Sequence, residues 1–111
     1  MPTILPTDDN NTPIPALRLR DGGAHKLTVT GTSVRNTTAF DSGTRVVSVY
    51  ATGPVYLRCG GASVTATVTD HYLPANIYMD LAIGGEEAAQ STYIAALRAE
   101  GDCVLYISER T

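Results

Sequence analysis

The chain has 111 residues and a formal net charge of −3, which leaves room for one compact domain with a single modest core. Apolar residues make up 43% of the chain and charged residues 17%, a composition that excludes disorder throughout. Basic residues stand singly, which argues against sequence-independent binding of DNA or RNA. The chain also lacks an apolar run long enough for a membrane span, and residues 1–10 do not resemble a signal peptide.

The first segment, residues 1–15, reads MPTILPTDDNNTPIP and holds four of the six prolines. Each proline fixes φ and removes a backbone donor, so this segment cannot be a central strand or a helix. Its apolar residues Ile4, Leu5 and Ile14 exceed what a solvated tail requires. We therefore predict an extended arm over 1–15, either docked or disordered, followed by one domain over 16–111.

From residue 16 onward, segments rich in β-branched residues alternate with Gly, Pro and Asp. This pattern predicts about eight short strands at intervals of roughly eight to twelve residues, as in an antiparallel sandwich or barrel. The expected strands are 16–20, 25–31, 44–52, 55–59, 63–69, 77–83, 92–98 and 103–108. Turns are expected at 21–23 and 53–54, and a polar loop around Phe40 at 36–43.

Two of these strands alternate clearly enough to assign an inward face. The side chains expected to face the core are Leu27, Val29, Ile77, Met79, Leu81 and Ile83. On the strand expected at 77–83, Tyr78, Asp80 and Ala82 point away from the core, which predicts a half-buried strand.

The segment 86–100 is ambiguous. It holds helix-forming residues, with acids at its start and a glycine directly after its end. The strands expected at 92–98 and 103–108, however, flank a short A-E-G-D segment that is typical of a β-hairpin. We predict the hairpin, with space for a helical turn at 86–90.

The sequence contains no recognisable catalytic pattern. Two histidines, His25 and His71, are too few for a metal site built from several convergent ligands. Asp70 and His71 are neighbours and would point to opposite faces of an extended segment, so we expect His71 in a surface loop. No serine lies in a GxSxG pattern, and no phosphate-binding glycine loop is present. We expect no enzyme activity, no cofactor and no small-molecule substrate.

Cysteine and tyrosine positions complete the candidate residues. Cys59 and Cys103 lack metal-site or CxxC spacing and stand in apolar settings, which favours buried free thiols, while a disulfide between them stays open. The six tyrosines are at positions 50, 56, 72, 78, 93 and 106. Because most of them stand among Val, Leu and Ile, we expect core or cross-strand packing rather than a carbohydrate-stacking platform.

From Arg45 onward, three segments resemble small proteins encoded among the head genes of tailed double-stranded DNA bacteriophages. The segments are VVSVYATGPVYLRCGG, DHYLPANIYMDLAIGG and YIAALRAEGDCVLYISE. Together with the Pro-rich arm and the chain length, they are similar to the capsid staple or cement proteins of epsilon-fifteen-like podophages. The resemblance lies in strand and turn patterns, not in a catalytic signature.

The resemblance implies a jelly-roll-like antiparallel β-sandwich on the capsid exterior of the virion, assembled in the host cytoplasm. Such a protein ties neighbouring major capsid protein subunits together and stabilises the DNA-filled head. We expect a homodimer without nucleic-acid or membrane partners, with Ile4, Leu5 and Ile14 gaining burial on binding. A carbohydrate-binding β-sandwich module of a phage tail or spike stays open as the alternative.

Overall fold

A computed structural model describes residues 18–84 and 89–110. These residues form eight strands, in agreement with the predicted number, and no helix that could span a membrane. The strands are β1 (Leu19–Val29), β2 (Val34–Arg35), β3 (Val46–Ala51), β4 (Val55–Gly60), β5 (His71–Leu73), β6 (Tyr78–Ala82), β7 (Tyr93–Arg98) and β8 (Cys103–Arg110). The predicted arm at 1–15, with Ile4, Leu5 and Ile14, lies outside the described residues.

The strands form two antiparallel four-stranded sheets. The first sheet has the order β1-β8-β3-β6 and the second sheet has the order β2-β7-β4-β5. Six of the seven connections pass from one sheet to the other, and the connection from β4 to β5 stays within the second sheet. This is the strand order of a jelly roll, which confirms the predicted jelly-roll-like sandwich.

The core lies between the two sheets and is filled by the inward side chains of both. Leu27 and Val29 are buried, as predicted from the alternation of β1. Phe40, from the loop between β2 and β3, is buried with them. The other large side chains at the centre of the core are Val47, Val49, Val55, Leu73, Ile94, Leu105 and Ile107.

The predicted hairpin at 92–108 is wrong, although both of its strands are present. Strand β7 pairs with β2 and β4, whereas β8 pairs with β1 and β3, so the two strands belong to different sheets. Residues 99–102 cross the space between the sheets, which is about 10 Å in a sandwich and within reach of four residues. The predicted helical turn at 86–90 falls mostly outside the described residues, and residues 89–100 contain no helix.

The strand predicted at 63–69 is also wrong. The backbone N–H of Thr67 donates to the Asp70 carboxylate at 2.7 Å, and the N–H of Asp70 donates to the Thr67 carbonyl at 3.1 Å. These bonds close a turn and take the backbone groups that a strand would need, because a short acidic side chain competes with the ladder. Val68 is accordingly 66% exposed.

The turn predicted at 21–23 is an irregularity inside one long strand. Leu19 pairs with Arg110 and Ala24 with Ser108, so β1 carries extra residues between two pairs that are two residues apart on β8. Gly22 has a φ of 75°, which favours glycine and accommodates the extra residues. Residues 19–20 and 25–29 of the strands predicted at 16–20 and 25–31 are therefore parts of β1.

Candidate functional site

The outer face of the first sheet carries a row of large side chains that crosses all four strands. Tyr78 on β6 lies opposite Tyr50 on β3, and Tyr50 lies opposite Tyr106 on β8. Tyr106 in turn lies opposite Lys26 on β1. Successive side chains of a strand alternate between faces, and Val49 is buried, so the row points to solvent. We call these four residues the tyrosine row.

The tyrosine row is accessible and held in place by its own contacts. Tyr78 is 59% exposed and Tyr106 is 43% exposed. The Lys26 ammonium lies 5.9 Å from the centroid of the Tyr106 ring, within the range of a cation–π contact. The Tyr50 hydroxyl donates to the Asn76 side-chain oxygen at 2.9 Å. With adjacent strands about 4.8 Å apart, the row spans about 14 Å of the sheet.

A polar cluster lies beside the tyrosine row on the same face. The Ser48 hydroxyl donates to Asp80 Oδ1 at 2.5 Å and accepts a hydrogen bond from Arg110 Nη1 at 3.0 Å. Although Ser48 points to the outer face, it is buried. We call Ser48, Asp80 and Arg110 the polar cluster; it places a carboxylate and a guanidinium next to the aromatic rings.

The tyrosines partly contradict the sequence prediction. Cross-strand packing is confirmed on the second sheet, where Tyr56 on β4 lies opposite Tyr72 on β5 with ring centroids 5.8 Å apart. Core packing is wrong, since none of the six tyrosines is buried and Tyr72 is 54% exposed. On β3 and β8 the tyrosines occupy the register positions between buried residues, which places them on the outer face.

A second cluster, missed by the sequence prediction, surrounds the buried carboxylate of Glu109. Glu109 Oε1 accepts hydrogen bonds from the Thr44 hydroxyl at 2.7 Å and from the backbone N–H of Asp41 at 2.8 Å. His25 Nε2 lies 2.9 Å from Glu109 Oε2. The His25 ring also meets the edge of Phe40, with centroids 5.1 Å apart. These contacts tie β8 to β1 and to the loop that precedes β3.

Burial raises the pKa of Glu109, but hydrogen bonds from Thr44, His25 and the Asp41 N–H outweigh this effect and lower the pKa below its ordinary value. The carboxylate is therefore ionised and its oxygens are engaged by three partners. The signal in the sequence is its spacing, since Glu109 follows the inward residues Leu105 and Ile107 at period two.

A cavity of about 200 Å³ lies beside His25 and is lined by polar groups that include Lys26, Thr37 and Thr38. No cysteine or serine lines this cavity. Across residues 18–84 and 89–110, no three His, Cys, Asp or Glu side chains converge in a way that could hold a metal ion. The contacts of Glu109 with His25, Thr44 and the Asp41 N–H give the pair formed by His25 and Glu109 a structural role.

The other histidine, His71, is exposed, as expected, but it begins strand β5 instead of lying in a loop. The neighbouring Asp70 carboxylate accepts hydrogen bonds from the backbone N–H and the hydroxyl of Thr67. The contacts of Asp70 are thus those of a turn residue.

Both cysteines are free, as predicted, but their burial differs from the prediction. Cys59 is exposed near the end of β4, and Cys103 is half-buried with its thiol 3.7 Å from the Gly53 carbonyl oxygen. Loss of solvation raises the pKa of both thiols. The neutral thiol is therefore the form present at pH 7.

An apolar groove opens between the edge strands of the two sheets. It has a volume of about 150 Å³. Its lining consists of Leu57, Cys59, His71, Tyr72, Leu73, Met79, Leu81 and Ala82. We call it the edge groove. Leu81 is half-buried and Ile83 is buried as predicted, whereas Met79 and Ile77 are exposed because β6 ends the first sheet.

No protein-family model, no curated protein and no solved structure matches the chain.

Proposed function

We propose that this protein decorates the outside of a phage capsid and ties neighbouring major capsid protein subunits together. The observation that supports the proposal most directly is the tyrosine row. Aromatic residues and arginine are enriched at the centres of protein interfaces, and tyrosine, with only two χ angles, loses little conformational entropy on binding. Tyr78 and Tyr106 have this character, and Arg110 of the polar cluster lies on the same face.

The position of the tyrosine row on the jelly roll favours tight docking. Two of its residues lie on the central strands β3 and β8, whose inward side chains Val49 and Ile107 are buried. A surface held by a packed core binds without a large ordering cost. Because a capsid presents many equivalent sites, a protein that bridges two of them gains strength from effective concentration.

Binding, rather than catalysis, is the proposed mode of action. The Glu109 carboxylate and the His25 ring contact each other and so tie the fold together. The proposal needs no cofactor, small-molecule substrate, nucleic acid or membrane. Its partners are the major capsid protein and a second copy of this chain, and its location is the capsid exterior.

Carbohydrate binding is the second candidate function, and the polar cluster favours it. Sugar rings stack on exposed aromatic rings while their hydroxyls bond to charged and polar side chains. Asp80 and Arg110 stand beside the tyrosine row where such bonds could form. In this reading the same surface would bind a polysaccharide chain instead of a capsid subunit.

Co-sedimentation with undecorated capsids of the encoding phage, together with a glycan array, distinguishes capsid decoration from carbohydrate binding. The purified protein is mixed with capsids over a concentration series, and a glycan array is probed with the same preparation. Saturable binding at a fixed ratio to the major capsid protein supports decoration. Absence of capsid binding together with a glycan signal supports the carbohydrate module, and failure of both assays with folded protein overturns both functions.

A further inference from the structure

Strand β6 lies at the edge of the first sheet. Among residues 18–84 and 89–110, β6 pairs with β3 on one side and with no strand on the other. The N–H of Ile83 donates to the Arg45 carbonyl at 2.8 Å. Because bonding alternates along an antiparallel pair, the backbone groups of Met79 also point to β3, whereas those of Tyr78 and Asp80 point outward.

This edge lacks the features that normally prevent strands from associating. Natural edges are protected by lysine, proline, bulges or inward charges. Strand β6 has one charged residue, Asp80, whose carboxylate accepts the Ser48 hydrogen bond. Ile77 is 45% exposed, Tyr78 59% and Met79 38%, and Met79 also lines the edge groove. The exposed apolar surface is therefore centred near Met79.

We propose that β6 pairs antiparallel with β6 of a second copy, around a two-fold axis through Met79. The outward backbone N–H and C=O groups restrict the register between the two copies of β6. Tyr78 and Asp80 must bond to residues of the second copy whose backbone groups also point outward. An axis at Met79 pairs Tyr78 with Asp80 of the second copy and satisfies this condition. An axis at Asp80 would satisfy it too, but would set two carboxylates opposite each other, which is unfavourable.

The second copy is the occupant that this edge fits best. An antiparallel edge is complementary to itself under two-fold symmetry, so one strand supplies both sides of the interface. The chosen register sets Ile77 opposite Leu81 of the second copy and Met79 opposite Met79, on the side that opens into the edge groove. The first sheets of both copies become one continuous sheet of eight strands, with both tyrosine rows on the same face.

The proposed β6 pairing rests on the proposed function in that it gives the interface of the expected homodimer. It is tested on the free protein without capsids, so a negative result here would not decide the capsid-binding assay. Sedimentation equilibrium is measured for the parent chain, for Met79→Lys and for the control Val68→Lys, since Val68 is 66% exposed and lies outside the edge groove. Met79→Lys would set two ammonium groups opposite each other. We expect a dimer for the parent and the control, and a dimer dissociation constant at least about tenfold higher for Met79→Lys. Circular dichroism checks that each variant is folded.

A monomeric parent chain, or a dimer that Met79→Lys does not weaken, would overturn the inference. Cross-linking tests the register separately. Opposed residues without mutual hydrogen bonds have Cα atoms about 4.5 Å apart, which suits a disulfide. Oxidised Met79→Cys should form an intermolecular 79–79 bond, located by peptide mass spectrometry. A mixture of Met79→Cys and Leu81→Cys chains, which both keep Asp80, should form no 79–81 bond, and such a bond would show that the axis lies at Asp80.

Discussion

The carboxylate of Glu109 occupies an inward position of β8 that would ordinarily hold an apolar side chain. Burial alone would make an ionised carboxylate costly. Here the Thr44 hydroxyl, the Asp41 N–H and the His25 ring surround it at 2.7 to 2.9 Å. The carboxylate therefore acts as a hub that joins β8, β1 and the segment before β3.

Replacing Glu109 tests this role through pH. The folded-state pKa of Glu109 lies below its ordinary value of 4.5, so its contribution to the free energy of unfolding is complete above about pH 4.5 and is lost as the pH falls through the folded-state pKa. Glu109→Gln should lower stability at pH 7 by about 1–3 kcal/mol, because the amide cannot accept from all three donors. In urea titrations at pH 7 and at pH 3, the difference between parent and variant should shrink at pH 3.

Glu100→Gln is the matched control for that measurement, because Glu100 is exposed on the 99–102 connection. We expect it to behave like the parent at both pH values. A Glu109→Gln variant whose stability deficit is the same at pH 7 and pH 3 would contradict the assignment.

The sequence indicates half of this cluster. Period two along β8 places Glu109 on the same face as Leu105 and Ile107, which marks it as an inward acid. Its partners are 65 to 84 residues away, from Thr44 to His25. Such distant contacts depend on strand order, which local patterns do not contain.

At the scale of the element, the irregularity in β1 brings Gly23 against β8. A Cβ on Gly23 would lie 2.8 Å from the Cβ of Glu109 and 3.1 Å from the Arg20 carbonyl oxygen. Neither atom is the far end of a flexible side chain, so the backbone itself has to shift. The glycines predicted as a turn are thus required by close approach and by the positive φ of Gly22.

Gly23→Ala should therefore destabilise the sandwich by about 1–3 kcal/mol, as expected for overpacking. Gly61→Ala is the matched control, because nothing lies within 4 Å of its added Cβ, and it should change stability by less than about 0.5 kcal/mol. Urea unfolding followed by circular dichroism measures both. Equal stabilities of the two variants would show that β1 adapts without cost.

Local patterns predicted strands well where alternation was supported by burial. The run that became β3 was located to within two residues, since its β-branched residues pack in the core. The alternating residues at 63–69 do not form the predicted strand, because the Thr67 N–H donates to the Asp70 carboxylate. The outward position of Tyr78 was predicted from the alternation over 77–83, whereas that of Tyr50 and Tyr106 was missed, since it depends on which face of the sheet each strand turns inward.

At the scale of the molecule, the crossing connections explain why the fold class was predictable and the pairing was not. Strands β7 and β8 are separated by four residues but lie in different sheets. A short connection alone is compatible with a hairpin or with a crossing between layers. The count and spacing of strands identify a sandwich, whereas the jelly-roll order emerges from long-range pairing.

The arm predicted at 1–15 provides a test of attachment at this scale. Deleting residues 1–15 should weaken co-sedimentation with capsids and leave the circular dichroism spectrum of the sandwich unchanged, because Ile4, Leu5 and Ile14 are proposed to gain burial on binding. A deletion that unfolds the domain would show that the arm is part of the core of the domain. A deletion without effect on capsid binding would contradict the role of the arm.

The most direct test of the proposed function is the affinity of Tyr106→Ala for undecorated capsids, measured beside Tyr72→Ala. Both tyrosines are exposed, but Tyr106 belongs to the tyrosine row and Tyr72 lies on the second sheet. Tyr106 is also two strands away from β6, so the proposed dimer edge stays intact. We predict an apparent Kd about tenfold higher for Tyr106→Ala, or about 1.4 kcal/mol, and an unchanged Kd for Tyr72→Ala. Equal affinities of the two variants would contradict the claim that the tyrosine row binds the capsid.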